Sequence, residues 1–543
     1  MEINKAYIIE LLCGLPFIDS VEDNGEKNGV LTLMLRFPLE GNQVLRFAMC
    51  FNLTMSPMSI YGSSPVRFYN PQLMDYPHIM HSGSLCMHTR NCVTWEDRIL
   101  EDVNALHEWI ERYYVKKKKD EHYEDLVVED VIINGRKKVF YYSQLETLPQ
   151  IGEFGKVAYT KLTGSTYDNK TDTYLVQVLV NGEGKSCSGE WSDCYLKSRY
   201  EIGLFAMLNE SPSEYDKFAV DNYENLEGLC SEKQLEYLYC QLYRSGKEFA
   251  PIFWGYYTPS GKLRWLITYP DRNNPIIKGE KCKIESRVTW IPKLTNVKME
   301  PAATEECSYD QFFGRGYFPS SITGKKVLLL GVGAIGSIVA TTLIRCGVRD
   351  ITLSDYDDKH PGNVCRSEYL FDTGKTKKID EMKQILQSIS PFVKVTETDE
   401  LHVILKHTSY DKLVEATRIL DLFDIVFDCS IDSEMMWAID KMETKAQVIN
   451  LSISNEAKEL VCAFSPNVSE FVSRVYTEVI KEEAGDLYNP EGCWSPTFKA
   501  SYNDVQVMVQ YALRNIVKML SGECPKANFM IREIDESLKL IRW

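Results

Sequence analysis

The 543-residue sequence has no Cys-x-x-Cys pair, no long apolar run, no surplus of basic residues and no internal repeat. Each absence excludes a class. Sixteen cysteines scattered singly rule out the zinc sites that closely spaced cysteine pairs build. In a reducing compartment most such thiols are small buried hydrophobes. No stretch reaches the roughly 20 apolar residues of a membrane helix. The start, MEINKAYIIELLCG, lacks a basic segment ahead of its apolar one, so a cytoplasmic protein without membrane contact is expected. The net charge of −16 argues against direct nucleic-acid binding, which needs a basic surface to release counterions. The single basic run, Lys116 to Lys119, reads as a solvated helix end.

The composition is globular, 44% hydrophobic and 25% charged, and the length requires more than one core. Three segments are expected: 1–118, 119–305 and 306–543. The first opens with an amphipathic helix, Ile3 to Leu12, and continues with strands Val30–Phe37 and Val44–Phe51 about a turn at Gly41 and Asn42. A helix begins near Trp95, with Ile99, Val103, Leu106, Ile110 and Tyr113 on one face. The middle segment is mainly β or α+β; Pro259-Ser260-Gly261 marks a hairpin between Ile252–Tyr257 and Leu263–Tyr269. In the third segment, strand Lys326–Leu330, a helix through Ala340, Leu343 and Ile344, and strand Asp350–Leu353 alternate as in a Rossmann-like α/β domain with a parallel sheet.

Between that strand and helix lies Gly331-x-Gly333-x-x-Gly336, a loop whose amides close on phosphate at a helix N-terminus. Asp355, ending the next strand, suits ribose hydroxyls. Alone, these residues fit an NAD-dependent oxidoreductase as well as an ATP user. Asn363, Arg366 and Lys377 separate the two. Hydride transfer needs no such cations beside the phosphates, whereas attack of a carboxylate on an α-phosphate does, with Mg²⁺ steadying the departing pyrophosphate.

In this order the residues resemble the adenylation domain of the ThiF/MoeB and ubiquitin-activating enzyme family, over about residues 305–460. The resemblance implies that Gly331, Gly333 and Gly336 hold phosphate and Asp355 the ribose. Asn363, Arg366 and Lys377 would meet the triphosphate and reacting carboxylate, the last two as catalytic groups. The family's metal ligand follows the next buried strand, Asp424–Asp428; Asp432 is the candidate and Asp428 the alternative, and a helix-capping Asp there is the structural reading. Arg315 is the available counterpart of the family's arginine ahead of the first strand. ATP and Mg²⁺ are the implied cofactors, and paired adenylation domains imply a homodimer.

The sulfur-carrier members have two Cys-x-x-Cys pairs that this chain lacks, which points to a branch with a thioester-forming cysteine. Cys493, in Gly-Cys-Trp-Ser-Pro-Thr-Phe ahead of a helix through Val505, Val509, Ala512 and Ile516, is the expected nucleophile. Cys346, Cys429 and Cys462 sit in apolar patterns and are expected in the core, and Cys365 is expected to pack. The first segment resembles a ubiquitin-conjugating fold, with Cys86 ahead of Trp95 as the acceptor thiol. Its customary His-Pro-Asn is absent, leaving His78, His81 and Asn91 as substitutes; Cys92 lies too close to Trp95. Together the segments resemble the fused bacterial enzymes of type II CBASS antiphage operons. That resemblance implies activation of the C-terminal glycine of a cGAS-like nucleotidyltransferase and its conjugation to a target protein. A ubiquitin-like protein client is an alternative, as are an oxidoreductase and a scaffold with purely structural cysteines.

Overall fold

The computed structural model describes residues 4–52, 54–58, 65–73, 76–80, 83–87, 89–118, 132–162, 170–196, 199–212, 222–299, 301–398, 401, 410–480 and 499–543. The chain divides into two compact units, residues 1–189 with 199–305, and residues 190–198 with 306–543. Among the described residues no helix is long and apolar enough to cross a membrane.

Alternation builds the first sheet. Leu31, Leu33, Leu35 and Phe37 are buried along Val30–Pro38, as are Leu45, Phe47, Met49 and Phe51 along Val44–Asn52, the period of two that a half-covered strand requires. These strands pair antiparallel, with Ser20–Lys27 and Val66–Tyr69 outside them. Gly41 and Asn42 both take positive φ in the connecting turn. Helices Lys5–Cys13 and Trp95–Trp109 press Ile8, Leu12, Ile99, Val103 and Leu106 onto this core. The second helix widens into a π-turn over Ile110–Val115, which keeps Ile110 and Tyr113 buried.

The middle segment is a β-barrel with helical insertions. Seven strands follow one another around it: Arg136–Tyr142, Pro301–Glu306, Leu263–Thr268, Ile252–Tyr257, Glu201–Met207, Phe154–Lys161 and Thr171–Asn181. The last pairs in parallel with the first and closes the ring. Aromatic side chains fill it, among them Phe140, Tyr159, Tyr174, Phe205, Phe253 and Trp265, and helix Glu232–Ser245 covers its outside with Leu235 and Leu238. The expected hairpin turns at Thr258–Lys262.

In the second unit an eight-stranded sheet runs Lys394–Glu397, Asp350–Ser354, Lys326–Leu330, Ile425–Asp428, Gln447–Ser454, Glu459–Phe464, Phe529–Ile534 and Ser537–Arg542. The first five are mutually parallel and the rest antiparallel. The parallel strands are buried on both faces, the reason KVLLL is uninterrupted. Helices Ala334–Arg345 and Tyr502–Leu520 pack together on one face of the sheet core. Segment 190–198, although it arises between barrel strands, belongs to this unit. Trp191 stacks on Phe392 with centroids 6.1 Å apart, Ser192 N donates to Pro391 O at 2.7 Å, and Tyr195 Oη donates to Gln387 O at 2.7 Å.

Candidate functional site

Chain order reverses at Lys326–Leu330: the chain leaves it towards Asp350–Ser354 on one side and later returns to Ile425–Asp428 on the other. Ligands of open α/β sheets bind at the carboxyl ends of strands flanking such a switch, and the expected residues lie on the loops there. Gly331 has φ +79°, and a Cβ on it would come within 2.7 Å of Ser430 Cα, so the loops after the two flanking strands touch. A Cβ on Gly336 would lie 1.9 Å from Gly331 O; the helix crosses its own loop too closely for any side chain. A Cβ on Gly333 would meet nothing within 4 Å, which leaves the loop open on that side. Gly333 is also the N-cap of Ala334–Arg345. That 12-residue helix has neither a side-chain cap nor an acidic residue in its first turn, so its N-terminal amides and dipole favour an anion.

Asp355 accepts from Val332 N at 2.8 Å and from Asp357 N at 2.9 Å, which ties the glycine loop to the second strand. Buried Tyr369 donates from Oη to Val332 O at 2.6 Å, fixing the loop from the other side. Burial, with Asp355 nearby, pushes the Tyr369 phenol far up, so it remains a donor. Asn363 and Arg366 stand three residues apart, one helical turn. Asn363 Oδ1 accepts from His360 N at 2.8 Å as the turn Pro361–Val364 begins, and Arg366 is half-buried. Exposed Lys377 pairs by its backbone with Asp358 and opens helix Lys378–Ile389.

The loop after Ile425–Asp428 distinguishes the two aspartates. Asp428 is buried and points inward: Oδ1 accepts from Ser430 N and Oγ at 3.1 and 2.6 Å, and Oδ2 from Asn450 Nδ2 at 2.9 Å. Burial pushes its carboxyl up. Asp432 Oδ1 caps helix Ser433–Asp440, accepting from Glu434 N at 2.9 Å and Met435 N at 3.1 Å. Its Oδ2 accepts no hydrogen bond from the described residues. Asp432 stands with Asp355 and Asp357 around Tyr356, whose phenol is pushed up by burial and then by these carboxylates. Between Asp428 and Asp432, exposed Ile431 has φ +58°, a strained conformation for a β-branched residue. No group of three or more His, Cys, Asp or Glu among the described residues is arranged to hold a metal alone. That donor set fits Mg²⁺, which binds through one or two carboxylates, substrate phosphates and water.

Arg315 is not brought to the glycine loop within one chain. Its segment is anchored by Phe318 N to Cys346 O at 2.9 Å and by Tyr309 Oη to Gly347 O at 2.5 Å. Both acceptors lie past the far end of helix 334–345, about 18 Å long at 1.5 Å per residue. Cys429 and Cys462 are buried, and burial pushes both thiols well up. Cys346 is half-buried, and Cys365, expected to pack, is exposed with Sγ 3.3 Å from Gly362 O; it caps a surface turn. Cys493 and His81 lie outside the described residues.

Cys86 is half-buried and its N donates to His78 O at 2.6 Å, next to a bridge between Ile79 and Leu85. His78 has φ +63°, and its Nε2 lies 3.2 Å from Tyr113 Oη. Asn91 is exposed, while Cys92 is buried with its thiol pushed up by burial. The sequence does not reveal Arg98 and Asp102, a buried pair at 2.8 Å with side chains 1% and 2% exposed. Arg98 also donates to Pro57 O, Thr89 Oγ1 and Arg90 O at 3.0, 2.7 and 2.7 Å, fixing the chain just after Cys86. Equally unforeseen is the buried pair Lys359–Glu381 at 2.5 Å. Their residue types signal a solvated surface; only the fold buries them.

Residues 318–497 match the ThiF family. The ATP-dependent ubiquitin transferase-like protein Cap2 of Enterobacter hormaechei subsp. hoffmannii is 25% identical over 274 residues, 48% of this chain and 44% of that one. Ubiquitin-like modifier-activating enzyme 5 of Culex quinquefasciatus is 28% identical over 169 residues, 30% and 42% of the two chains. The chain thus spans less than half the length of these relatives. A crystal structure of E. coli MccB with ATP aligns with TM-score 0.30 and 16% identity over 41% of this chain and 64% of that one. The glycine loop, Asp355 and the Asn363–Arg366 turn all lie inside the span that matches the ThiF family.

Proposed function

We propose that the chain activates the C-terminal carboxylate of a protein client with ATP and hands it on as a thioester. The observation that supports this most directly is the meeting of the glycine loop, Asp355 and the Asn363–Lys377 loop at the carboxyl ends of the parallel strands. In this reading the glycine-loop amides and the helix N-terminus hold phosphates, Asp355 accepts from ribose, and Asn363, Arg366 and Lys377 face the α-phosphate. The client carboxylate oxygen attacks the α-phosphorus, the bond to the β-phosphate oxygen breaks, and pyrophosphate leaves. Arg366 and Lys377 neutralise the two anions as they approach. Asp432, with Asp428 the alternative, would hold Mg²⁺, which offsets charge on the departing pyrophosphate. The Cys493 thiolate then displaces AMP, the Cys86 thiolate displaces Cys493, and an acceptor amine takes the acyl group. Each thioester exchange is nearly thermoneutral because donor and acceptor are alike.

The client is a cGAS-like nucleotidyltransferase, the product serves antiphage defence, and the working form is a cytoplasmic homodimer. A ubiquitin-like modifier is the second reading of the client, favoured by the similarity to ubiquitin-like modifier-activating enzyme 5. The test is exchange of labelled pyrophosphate into ATP with each client in turn, followed by a non-reducing gel. A thiol-sensitive adduct is expected that disappears with Cys493→Ala and stalls on Cys493 with Cys86→Ala. No exchange with either client, or an adduct surviving both substitutions, refutes the reading.

A further inference from the structure

The chain between Asp355 and Lys377 contains only one four-residue helical turn, yet it holds Asn363 and Arg366. A loop of this length needs ties that short-range geometry does not supply. Its neck is backbone: Lys359 N donates to Thr376 O at 2.8 Å, Lys378 N to Asp357 O at 3.0 Å, and Asp358 bridges Lys377. Its interior is tied by two charged side chains. Lys359 Nζ, 3% exposed, reaches Glu381 Oε2 at 2.5 Å, donates to Leu370 O at 2.6 Å and also bonds Thr373 Oγ1. Glu381, 2% exposed, accepts from Leu370 N at 2.8 Å and Thr376 Oγ1 at 2.7 Å.

One buried ion pair therefore holds both polar groups of Leu370 and two threonine hydroxyls, and anchors them to helix Lys378–Ile389. Ile379, Met382 and Leu386 of that helix already bury it in the sheet core. All the side-chain ties go to the loop and none to the core. Burying two charges is a poor route to stability, since an apolar pair of similar volume often does as well. What the pair supplies is a fixed path for the turn from Asn363 to Arg366 and for the start of Lys377.

We infer that Lys359 and Glu381 are positioning residues that hold Asn363 and Arg366 in register with the glycine loop. The inference rests on the proposed adenylation. A misplacement of about 1 Å at a reacting group costs about 100-fold in rate. The glycine loop is also tied by Asp355, outside this clasp, so ATP binding is expected to change less than turnover.

The experiment is steady-state pyrophosphate exchange by the full-length chain, with the client, for Lys359→Met/Glu381→Met, for Glu381→Gln and for Arg366→Ala. Thermal melting is recorded alongside. The double variant is expected to melt near the native temperature, because no unpaired charge is left buried, while kcat falls about 100-fold and KM for ATP changes by a smaller factor. Glu381→Gln, which removes only the charge, is expected to lower kcat in the same direction, and it decides the matter should the double variant melt early. Native kcat in Glu381→Gln together with native kcat in a folded double variant overturns the inference, as does a loss confined to KM. Arg366→Ala separates the levels. No exchange by the native chain fails the adenylation reading itself; exchange left intact by Arg366→Ala shows that there is no Arg366 role to position and overturns the inference; exchange abolished by Arg366→Ala while the clasp variants remain fully active means that only the clasp is wrong.

Discussion

Asp432 has two jobs open to it, and one pair of substitutions separates them. Its Oδ1 caps helix Ser433–Asp440 through Glu434 N and Met435 N, while Oδ2 accepts nothing from the described residues and Asp355 and Asp357 stand with it around Tyr356. Asp432→Ala removes both functions. Losing an N-cap costs about 1 kcal/mol, or roughly 2–4 °C in melting temperature for a unit of this size. Asp432→Ser keeps a capping oxygen of nearly equal strength and removes the carboxylate, so it should melt like the native protein. If the carboxylate steadies Mg²⁺ on the leaving pyrophosphate, both variants lose about 3 kcal/mol of charge stabilisation, or about 100-fold in exchange rate. Asp428→Asn should behave in the opposite way. Each hydrogen bond to that buried side chain is accepted by it. An amide therefore sets a donor against a donor, at about 1–3 kcal/mol, with a smaller effect on exchange. Differential scanning fluorimetry and pyrophosphate exchange on the same samples decide the question. Full exchange in Asp432→Ser would reduce Asp432 to a cap and refute the metal assignment.

Three further outcomes follow from the geometry. Gly336→Ala, whose Cβ would sit 1.9 Å from Gly331 O, should force the loop open and abolish ATP binding by calorimetry; retained binding would mean that the loop moves freely. Arg98→Ala should cost about 3–5 kcal/mol in urea unfolding of the N-terminal sheet, because it strands the buried Asp102 charge; a loss below about 1 kcal/mol, typical of exposed pairs, would contradict that burial. Burial pushes Asp172 up, but Lys138, Lys161 and Arg136 at 2.6, 2.5 and 2.7 Å outweigh it and hold the carboxyl well below the usual range. A lowered folded value gives stability that is complete above the unfolded value of about 3.9 and is lost as pH falls below it. The gap in melting temperature between native protein and Asp172→Asn should thus narrow below about pH 4, and a gap constant with pH would show that the charge is not what stabilises the barrel.

Much of the candidate site's local frame was readable because its signals are local. Gly331, Gly333, Gly336 and Asp355 lie within 25 residues, and the strand–loop–helix around them follows from an apolar run, a glycine cluster and a helical period. The touch of Gly331 on Ser430 was not readable, since it depends on which strand lies beside Lys326–Leu330, and pairing order is non-local. Barrel closure failed to appear for the same reason: Arg136–Tyr142 meets Thr171–Asn181 in parallel across an intervening strand. Lys359, Glu381, Arg98 and Asp102 were hidden differently. Their charges read as surface, and only tertiary burial turns them into structural links. Cys365 failed in the other direction, because a small apolar residue between Val364 and Arg366 carries no sign that its turn faces water.

Residues 190–198 have a consequence for how the molecule is made. Trp191 and Tyr195 leave the ribosome nearly two hundred residues ahead of Gln387 and Phe392, the groups they cover. Domains usually complete themselves in order of synthesis, but here the second unit borrows a piece from the interior of the first. A fragment started at Glu306, the natural place to cut by sequence, would leave the ring of Phe392 without its stacking partner and the Pro391 carbonyl without its donor. A recombinant second unit needs that borrowed stretch grafted back, or expression of the whole chain.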